Sequence, residues 1–216
     1  AGSILGDATA IATSDTGAVD LEVAQVETLN TLGATITNGY GVEYILADFL
    51  SADPAVLSGA TTVTATVDAA NGTQNLTGDD LSQADNLVIT GGGTVTLTAE
   101  QVDALAITKG SGQVTARIEA LNNDSTSLDL SDADILDVNT LQSVVLTDDT
   151  LTGIGTLDLD GAGPATNVTL TAGQLNHFTK VTAASNDSIT VTSLDNASVE
   201  GTDASDTFEL LNTDAS

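Results

Sequence analysis

The sequence offers few side chains whose chemistry could serve catalysis. His177 is the only histidine, and it lies in the stretch Gln174-Leu-Asn-His-Phe178, where no Ser or Asp pattern would make it the base of a nucleophilic triad. Asp79-Asp80 and Asp148-Asp149 are paired carboxylates, but adjacent residues of one loop usually point apart and stay solvated. The chain has no Cys, and it carries no nucleophile elbow, phosphate-binding loop or zinc-binding helix motif. We therefore predict that the protein is not an enzyme and that His177 has a structural role at an exposed or edge position.

The strongly acidic composition favours cations as partners. The chain has 31 Asp and Glu against three Lys and Arg, which gives a net charge of −28. Such a surface repels phosphate, so it excludes nucleic acid bound through backbone neutralisation and an anionic membrane surface. No apolar run approaches the roughly 18 residues of a membrane-spanning helix, so we expect no membrane insertion. Divalent cations, above all Ca²⁺, are the partners that carboxylate, amide and carbonyl oxygens favour.

The last acidic stretch of the chain suggests where Ca²⁺ would bind. Gly201-Thr-Asp203-Ala-Ser-Asp206-Thr-Phe208 resembles the opening of the glycine- and aspartate-rich nonapeptide repeat of the RTX (repeats-in-toxin) family. It departs from that family at Ala204-Ser205, where Gly-Asn is usual, and no second copy follows. The resemblance implies a parallel β-roll in which Asp203 and Asp206 help to hold Ca²⁺. We assign the acidic pair Asp148 and Asp149 to Ca²⁺ as well.

Segments of similar sequence recur along the chain. TVTLTAEQVDALAITKG (94–110) returns in altered form as VDLEVAQVETLNTLG, LTGDDLSQADNLVITG, LDLSDADILDVNTLQSVVL and NVTLTAGQLNHFTKV. Alignment of these segments gives five equivalent leucines: Leu21, Leu76, Leu97, Leu130 and Leu170. Their intervals agree in part with a structural repeat of about 20 residues. We expect the five leucines to form one interior column.

Each copy has the same order of local signals. A short alternating run such as Val95-Thr96-Leu97 predicts a half-buried strand. A hydroxyl residue three positions ahead of an amide or carboxyl residue follows, which is the pattern of a capping box at a helix start. It occurs at Thr98–Gln101 and Thr171–Gln174, and in approximate form, with Asp in the last place, at Ser131–Asp134 and Thr77–Asp80. We therefore predict a short helix after each first strand.

A second strand completes each copy. It is predicted at 86–89, 106–108, 143–146 and 180–182, each closed by Gly, Asn or Asp. One such copy cannot bury its own apolar face, whereas stacked copies produce a continuous core. The sequence therefore predicts a mainly β fold, a β-solenoid resembling a parallel β-helix, with a short helical turn in each repeat. The alternative is a β-sandwich surface domain, in which the similar segments arise from composition alone.

Three regions are predicted along the chain. Residues 1–60 would form N-terminal repeats with a helical insertion or cap, because Val42–Leu50 has apolar residues at helical spacing and Asp53-Pro54 would end a helix. The aromatic residues of this stretch are expected to pack in the core. Residues 61–200 would form the stacked repeats. Residues 201–216 would form the partial RTX-like segment or a linker to following chain, and without any Met the chain is expected to be a processed product or an excised segment.

The whole chain resembles the repeat regions of large exported bacterial surface proteins, of the RTX adhesin and S-layer type. Its Thr-, Ala- and Asp-rich, Cys-free composition carries that resemblance. It implies an extracellular or cell-surface location, repeated β structure and Ca²⁺-dependent order. We expect a structural module that associates with itself or other subunits into a layer or filament, or forms an adhesin stalk. The alternative is a carbohydrate- or ice-binding β-solenoid with a Thr-rich face built from Thr94, Thr96, Thr98 and Thr166, Thr169, Thr171.

Overall fold

The computed structural model describes residues 10–12, 19–21, 28, 35–37, 40–52, 60–70, 72–119, 127–140, 143–159, 166–184, 187–192 and 208–210. Within these ranges the helices are short: α1 is Leu46–Ser51, α2 is Ala99–Ala104 and α3 is Ala172–Leu175. None of the helices in the described part of the chain has the length and apolar character that crossing a membrane requires.

The fold is mainly β. The strands are β1 Ala10–Ala12, β2 Val19–Leu21, β3 Thr35–Thr37, β4 Tyr40–Ile45, β5 Thr62–Asp68, β6 Gln74–Asn75, β7 Asn86–Thr90, β8 Thr94–Thr98, β9 Ala106–Lys109, β10 Gln113–Ile118, β11 Ile135–Val138, β12 Ser143–Val145, β13 Thr156–Asp158, β14 Asn167–Leu170, β15 Lys180–Thr182, β16 Ser188–Val191 and β17 Phe208–Leu210. The described strands pair in parallel throughout. The second strands predicted from the sequence all form, as β7, β9, β12 and β15.

Paired strands are separated by a nearly constant length of chain. Thr94 pairs with Gln113, 19 residues further on, and Ala10 pairs with Thr35, 25 residues further on. The other pairs lie between these limits; Thr64 and Asn86, for example, are 22 residues apart. Parallel neighbours require a crossover of a dozen or more residues, which this spacing supplies. The predicted repeat of about 20 residues is therefore confirmed as a pairing interval.

The chain divides into two compact units, of which unit 1 comprises residues 1–71, 78–92 and 104–111. Its strands form a five-stranded sheet in the order β2-β4-β5-β7-β9 and a two-stranded sheet, β1-β3. In β5, Val63, Ala65 and Val67 are buried, while the threonines between them are half-buried. This alternation is what a β-strand with one covered face dictates.

Unit 2 comprises residues 72–77, 93–103 and 112–216. It contains a six-stranded sheet in the order β15-β13-β11-β10-β8-β6 and a four-stranded sheet in the order β12-β14-β16-β17. From β11 to β16 the chain alternates between these two sheets, one strand in each. In the larger sheet Leu97, Ala116, Leu136 and Leu157 are opposite one another in consecutive strands, and all four are fully buried. Burial of each such leucine contributes about 1.5–3 kcal/mol relative to exposure.

The prediction of one leucine column is wrong. Leu76, Leu97, Leu130 and Leu170 are buried, but Leu97 lies opposite Ala116 in one sheet, and Leu170 lies opposite Val191 in another. Leu130 follows the isolated bridge between Asp129 and Thr150. The side chain of Leu21 lies outside the described residues. The alignment failed because strands of both sheets of unit 2 share the same apolar-Thr-apolar pattern, which does not encode the sheet to which a strand belongs.

The N-terminal prediction is also corrected. Residues 40–45 form β4 rather than the start of a helix, because Val42 and Tyr44 are buried while Glu43 and Ile45 are exposed, a period of two. Only the second part of the predicted helix forms, as α1. Tyr44 and Phe49 are buried and meet edge to face, with ring centroids 6.5 Å apart. The expected packing of these aromatics in the core is confirmed.

Two glycines allow turns to approach their neighbours closely. Gly91, which follows β7, has φ +81°, and a Cβ there would lie 2.5 Å from Ala70 N. Gly153 has φ +101°, and a Cβ there would lie 2.8 Å from Ser131 O. Both the left-handed backbone and the lack of space require glycine at these positions. Gly91, Gly92 and Gly93 form the bend that joins β7 to β8.

Candidate functional site

Each of two glutamines caps its own helix and also hydrogen-bonds a backbone carbonyl of an earlier segment of the chain. Thr98 Oγ1 accepts the N–H of Gln101, and Gln101 Oε1 accepts the N–H of Thr98 at 2.8 Å. Thr171 and Gln174 make the same reciprocal pair. Both predicted capping boxes with Gln are therefore confirmed. The second end of each amide reaches further: Gln101 Nε2 donates to Leu76 O at 3.1 Å, and Gln174 Nε2 donates to Leu146 O and Asp149 O.

The two predicted capping boxes that end in Asp do not form helices. The Asp80 carboxylate accepts the N–H of Ser82 at 3.0 Å, within its own turn. The Asp134 carboxylate accepts the N–H of Val114 at 2.8 Å, on the adjacent strand. Asp is one methylene shorter than Gln, so its carboxylate serves a donor other than the start of a helix. Among the copies whose turn the structure describes, the predicted helical turn therefore forms only where Gln is in the last place.

Four aspartates each accept a backbone N–H from a neighbouring strand or from the segment beside one. Asp85 accepts the N–H of Val63 at 2.7 Å, Asp134 that of Val114 at 2.8 Å, Asp149 that of Leu128 at 2.9 Å, and Asp187 that of Thr166 at 2.9 Å. Donor and acceptor residues are 20 to 22 positions apart. We call these side chains the aspartate clamps. Each bond has a charged acceptor, which makes it stronger than a neutral hydrogen bond.

The clamps went unpredicted from the sequence, although a signal for two of them is present. Leu81-Ser-Gln-Ala-Asp85 and Leu130-Ser-Asp-Ala-Asp134 share the pattern Leu-Ser-x-Ala-Asp. In both, the Ala N–H donates to the Leu carbonyl, at 2.9 and 3.0 Å, and this turn places the Asp directly before a strand. A residue directly before a strand can reach the strand beside it. The pattern therefore predicts a clamp wherever it precedes an alternating apolar run.

Asp149 has an unfavourable environment for a charge. It is half-buried, and burial raises its pKa above the ordinary value, with smaller contributions in the same direction from the charges of Asp148 and Asp103. The hydrogen bond from the Leu128 N–H opposes that rise. Asp80 shows the opposite behaviour, because its hydrogen bonds with Ser82 lower its pKa.

The residues assigned to Ca²⁺ divide into two sets. Asp203 and Asp206 lie outside the described residues. Asp148 is exposed, and Asp149 already accepts a backbone hydrogen bond. Across the described ranges, no three or more His, Cys, Asp or Glu side chains come together in a group that could hold a metal ion. Ca²⁺ binding at Asp148 and Asp149, as at Asp203 and Asp206, stays a prediction.

The basic residues and the single histidine take up surface positions. Arg117 Nε donates to Asp137 Oδ2 at 2.8 Å, and its Nη1 lies 3.6 Å from Glu119 Oε1. His177 is exposed immediately after α3, and its N–H donates to Gln174 O at 3.1 Å. The predicted exposed or edge position of His177 is confirmed.

The threonines do not form a continuous exposed row. Thr96, Thr115, Ile135 and Thr156 are opposite one another on four consecutive strands. Thr96 and Thr115 are buried, and Ile135 interrupts the row. Thr171 serves as a helix cap. The geometry of these residues therefore gives no support to a flat Thr-rich binding face.

β12 presents an apolar residue on a sheet edge. It is the first strand of its sheet and, among the described strands, pairs only with β14. The Leu146 N–H donates to Thr169 O, so alternation along the strand turns the N–H and C=O of Val145 away from β14. The Val145 side chain is 45% exposed. Within the described part of the chain, β12 is thus a sheet edge that carries an exposed apolar residue, and such an edge is a site for pairing with another strand.

Comparison of the chain with protein-family models, with curated proteins and with solved structures finds no match.

Proposed function

We propose that this chain is a non-enzymatic structural module of an extracellular or cell-surface protein, built as a β-solenoid that associates with further copies of itself. The observation that carries the proposal is the alternation of unit 2 between two parallel sheets at a nearly constant pairing interval. A chain that winds in this way has open ends by construction, because each strand buries its face and its backbone groups only with the help of the next.

The inward columns support the solenoid. In the smaller sheet of unit 2, Val144, Val168 and Ile189 lie opposite one another in consecutive strands. They form a column like that of Leu97, Ala116, Leu136 and Leu157 in the larger sheet. Small aliphatic residues at equivalent positions allow every layer to pack on the next in the same way. The near absence of large aromatics, 2% of the chain, suits such layers of small aliphatic side chains.

Self-association would proceed through strand edges, and Val145 on β12 is the edge residue that the structure favours. Main-chain pairing gives such contacts their strength, and it requires no complementary charge. This matters for a chain of net charge −28, whose copies repel one another at low salt. Ca²⁺ enters the proposal as the cation that screens or bridges the carboxylates of neighbouring copies, with Asp203, Asp206, Asp148 and Asp149 as its sequence-based ligands.

The test is sedimentation velocity on the full chain over a range of concentrations, with added Ca²⁺ and with a chelator. We expect species larger than a monomer, and more of them with Ca²⁺. Val145→Pro should reduce association, because it removes the outward N–H of β12 while leaving the Leu146–Thr169 bond in place. Val145→Thr is the matched control, since it keeps that N–H and the β-branched shape.

Three outcomes are informative. A monodisperse monomer under both conditions would contradict self-association. Equal association of the Pro and Thr variants would place the contact elsewhere than β12. Loss of the Ca²⁺ response in Asp203→Ala and Asp206→Ala would support the ligands of the RTX-like segment, and its loss in Asp148→Ala would support the acidic pair.

A further inference from the structure

The five-stranded sheet of unit 1 has one covered face and one open face. Ile45, Thr66, Val88 and Thr108 lie opposite one another on β4, β5, β7 and β9. Ile45 is 61% exposed and Thr108 is exposed, while Thr66 and Val88 are half-buried between their neighbours. The residues that alternate with them in β5 and β7 are buried. Because alternate residues of a strand point to opposite faces, this row lies on the open face.

The centre of the open face carries no charge. Thr64 and Asn86 lie opposite one another, two residues before Thr66 and Val88 on the same strands. We call this set the neutral face: Ile45, Thr64, Thr66, Asn86, Val88 and Thr108. Among the other outward residues of β4, β5, β7 and β9, the charged ones are Glu43 and Asp68, which border the neutral face.

The polar groups of the neutral face bond within the sheet. Thr66 Oγ1 donates to Glu43 Oε1 at 3.3 Å, and Asn86 Nδ2 donates to Thr64 Oγ1 at 3.2 Å. A sugar is held by directed hydrogen bonds, so donors that are already used make a poor sugar site. Small and β-branched side chains with satisfied donors are instead suited to packing against another sheet.

Net charge decides which partner fits this face. The chain has a net charge of −28, so two copies repel one another wherever their carboxylates meet. A cationic partner would favour the acidic parts of the surface. Another copy, by contrast, can come close with little repulsion where the surface is uncharged. Two neutral faces related by a two-fold axis place uncharged surface against uncharged surface, in the commonest symmetry of protein dimers.

We propose that the neutral face is a lateral contact between two copies of this chain, packed face to face about a two-fold axis. The proposal rests on the proposed function in that copies must associate, but it uses the open face of unit 1 and not the β12 edge. Glu43 and Asp68 lie at the rim of the contact, where water and salt still screen them.

The size of the neutral face sets the strength of the contact. Four strands about 4.8 Å apart, with about five residues each at about 3.3 Å, give roughly 300 Å² per copy. Stable complexes bury about 800 Å² per partner. The contact is therefore weak by itself, and it becomes effective where another contact already holds copies side by side at high local concentration.

The first test is NMR on the wild-type full chain at increasing dilution. Between about 1 mM and about 0.05 mM, the amide shifts of residues 64–66, 86–88 and 106–108 should change with concentration. The change should be larger in about 0.5 M NaCl than in about 0.05 M, because salt screens the repulsion between copies. Shifts in these strands that do not depend on concentration in either salt would overturn the proposal.

The second test places a charge in the middle of the face. Val88→Glu should raise the dissociation constant measured by dilution at least about tenfold, because the two-fold axis brings the new carboxylates of both copies together. Val88→Thr is the matched control, since it keeps the β-branched shape without a charge, and it should stay close to the wild type. Thr108→Glu, at an exposed position, is the second charged variant if Val88→Glu does not fold. Charged variants that associate like the wild type would overturn the proposal.

Val145→Pro separates this contact from pairing at β12. Concentration-dependent shifts that persist in Val145→Pro and vanish in Val88→Glu would support the neutral face even if edge pairing fails. Association lost in Val145→Pro but kept in Val88→Glu would overturn the neutral face and leave the proposed function standing. A monomeric chain that cellulose retains, and that Val88→Glu releases, would assign the face to an uncharged polysaccharide and overturn the contact between copies.

Discussion

Two kinds of strand start occur in unit 2, and they differ in a single side chain. At the start of β11, Asp134 lies opposite Val114 and accepts its N–H through the carboxylate. At the start of β13 the equivalent residue is Gly155, which lies opposite Asp134 and has no side chain to offer. The difference follows from the backbone. The Val114 N–H bonds to the clamp, whereas the Asp134 N–H already donates to Val114 O at 2.8 Å.

The comparison teaches that a clamp occurs where a backbone N–H faces the next strand without a backbone carbonyl to accept it. A buried N–H without an acceptor costs about 1–3 kcal/mol, which is enough to favour an acidic residue even on a highly acidic chain. Where the opposite N–H already has a partner, the position is open to glycine. Clamped pairs are spaced by 20 to 22 residues, while strand pairs in general range from 19 to 25. Unclamped pairs such as β4–β5 and β11–β13 have a spacing of 21 residues as well, so this spacing does not itself require a clamp.

The largest effect should come from the column that both kinds of start share. Leu136→Ala, beside the clamped start, and Leu157→Ala, beside the unclamped one, should each lower the free energy of unfolding by about 2–5 kcal/mol. Both leucines are fully buried and lie opposite one another. Urea denaturation measures both values. If the two variants lost markedly different amounts of free energy of unfolding, packing rather than the clamp would distinguish the two strand starts.

A smaller effect is expected from removal of the clamp itself. Asp134→Ala leaves the Val114 N–H without its acceptor, and should cost about 1–3 kcal/mol with faster hydrogen exchange at Val114. Asp68→Ala is the matched control, because Asp68 is exposed and accepts the N–H of Ala70 within its own turn. The decrease in the free energy of unfolding for Asp68→Ala should fall within the lower part of that range. If the two variants were equally stable, the reach of Asp134 to the next strand would have no energetic importance.

The smallest effect separates the two functions of a capping glutamine. Gln101→Glu keeps an acceptor for the Thr98 N–H but loses the amide donor to Leu76 O. We expect a loss of about 0.5–1.5 kcal/mol, the usual net value of one hydrogen bond. The α-helical signal in circular dichroism should stay unchanged, since the cap survives. A variant that loses helix as well as stability would show that the bond to Leu76 is needed to form α2.

Much of the local structure could be predicted from the sequence. Alternation placed β7, β8, β9, β12, β14 and β15, and the Thr-x-x-Gln spacing placed both capping boxes, because these features depend on residues a few positions apart. The Asp-ended boxes were misassigned because the pattern does not say which donor a carboxylate will find. The cation site stays a prediction for Asp203, Asp206, Asp148 and Asp149, because ligands for a cation are recognised by their arrangement around it and not by the sequence pattern alone.

By itself, the sequence determined which segments are strands, where two helices begin and how far apart paired strands lie along the chain. These properties follow from side-chain periodicity and from hydrogen bonds within one turn. Only the tertiary structure decided which sheet receives each strand, which leucines share a column and which aspartates bind a neighbouring strand. Those outcomes depend on donors and apolar surfaces about 20 residues away, and the repeated Thr, Val and Asp patterns look alike until the chain has brought them together.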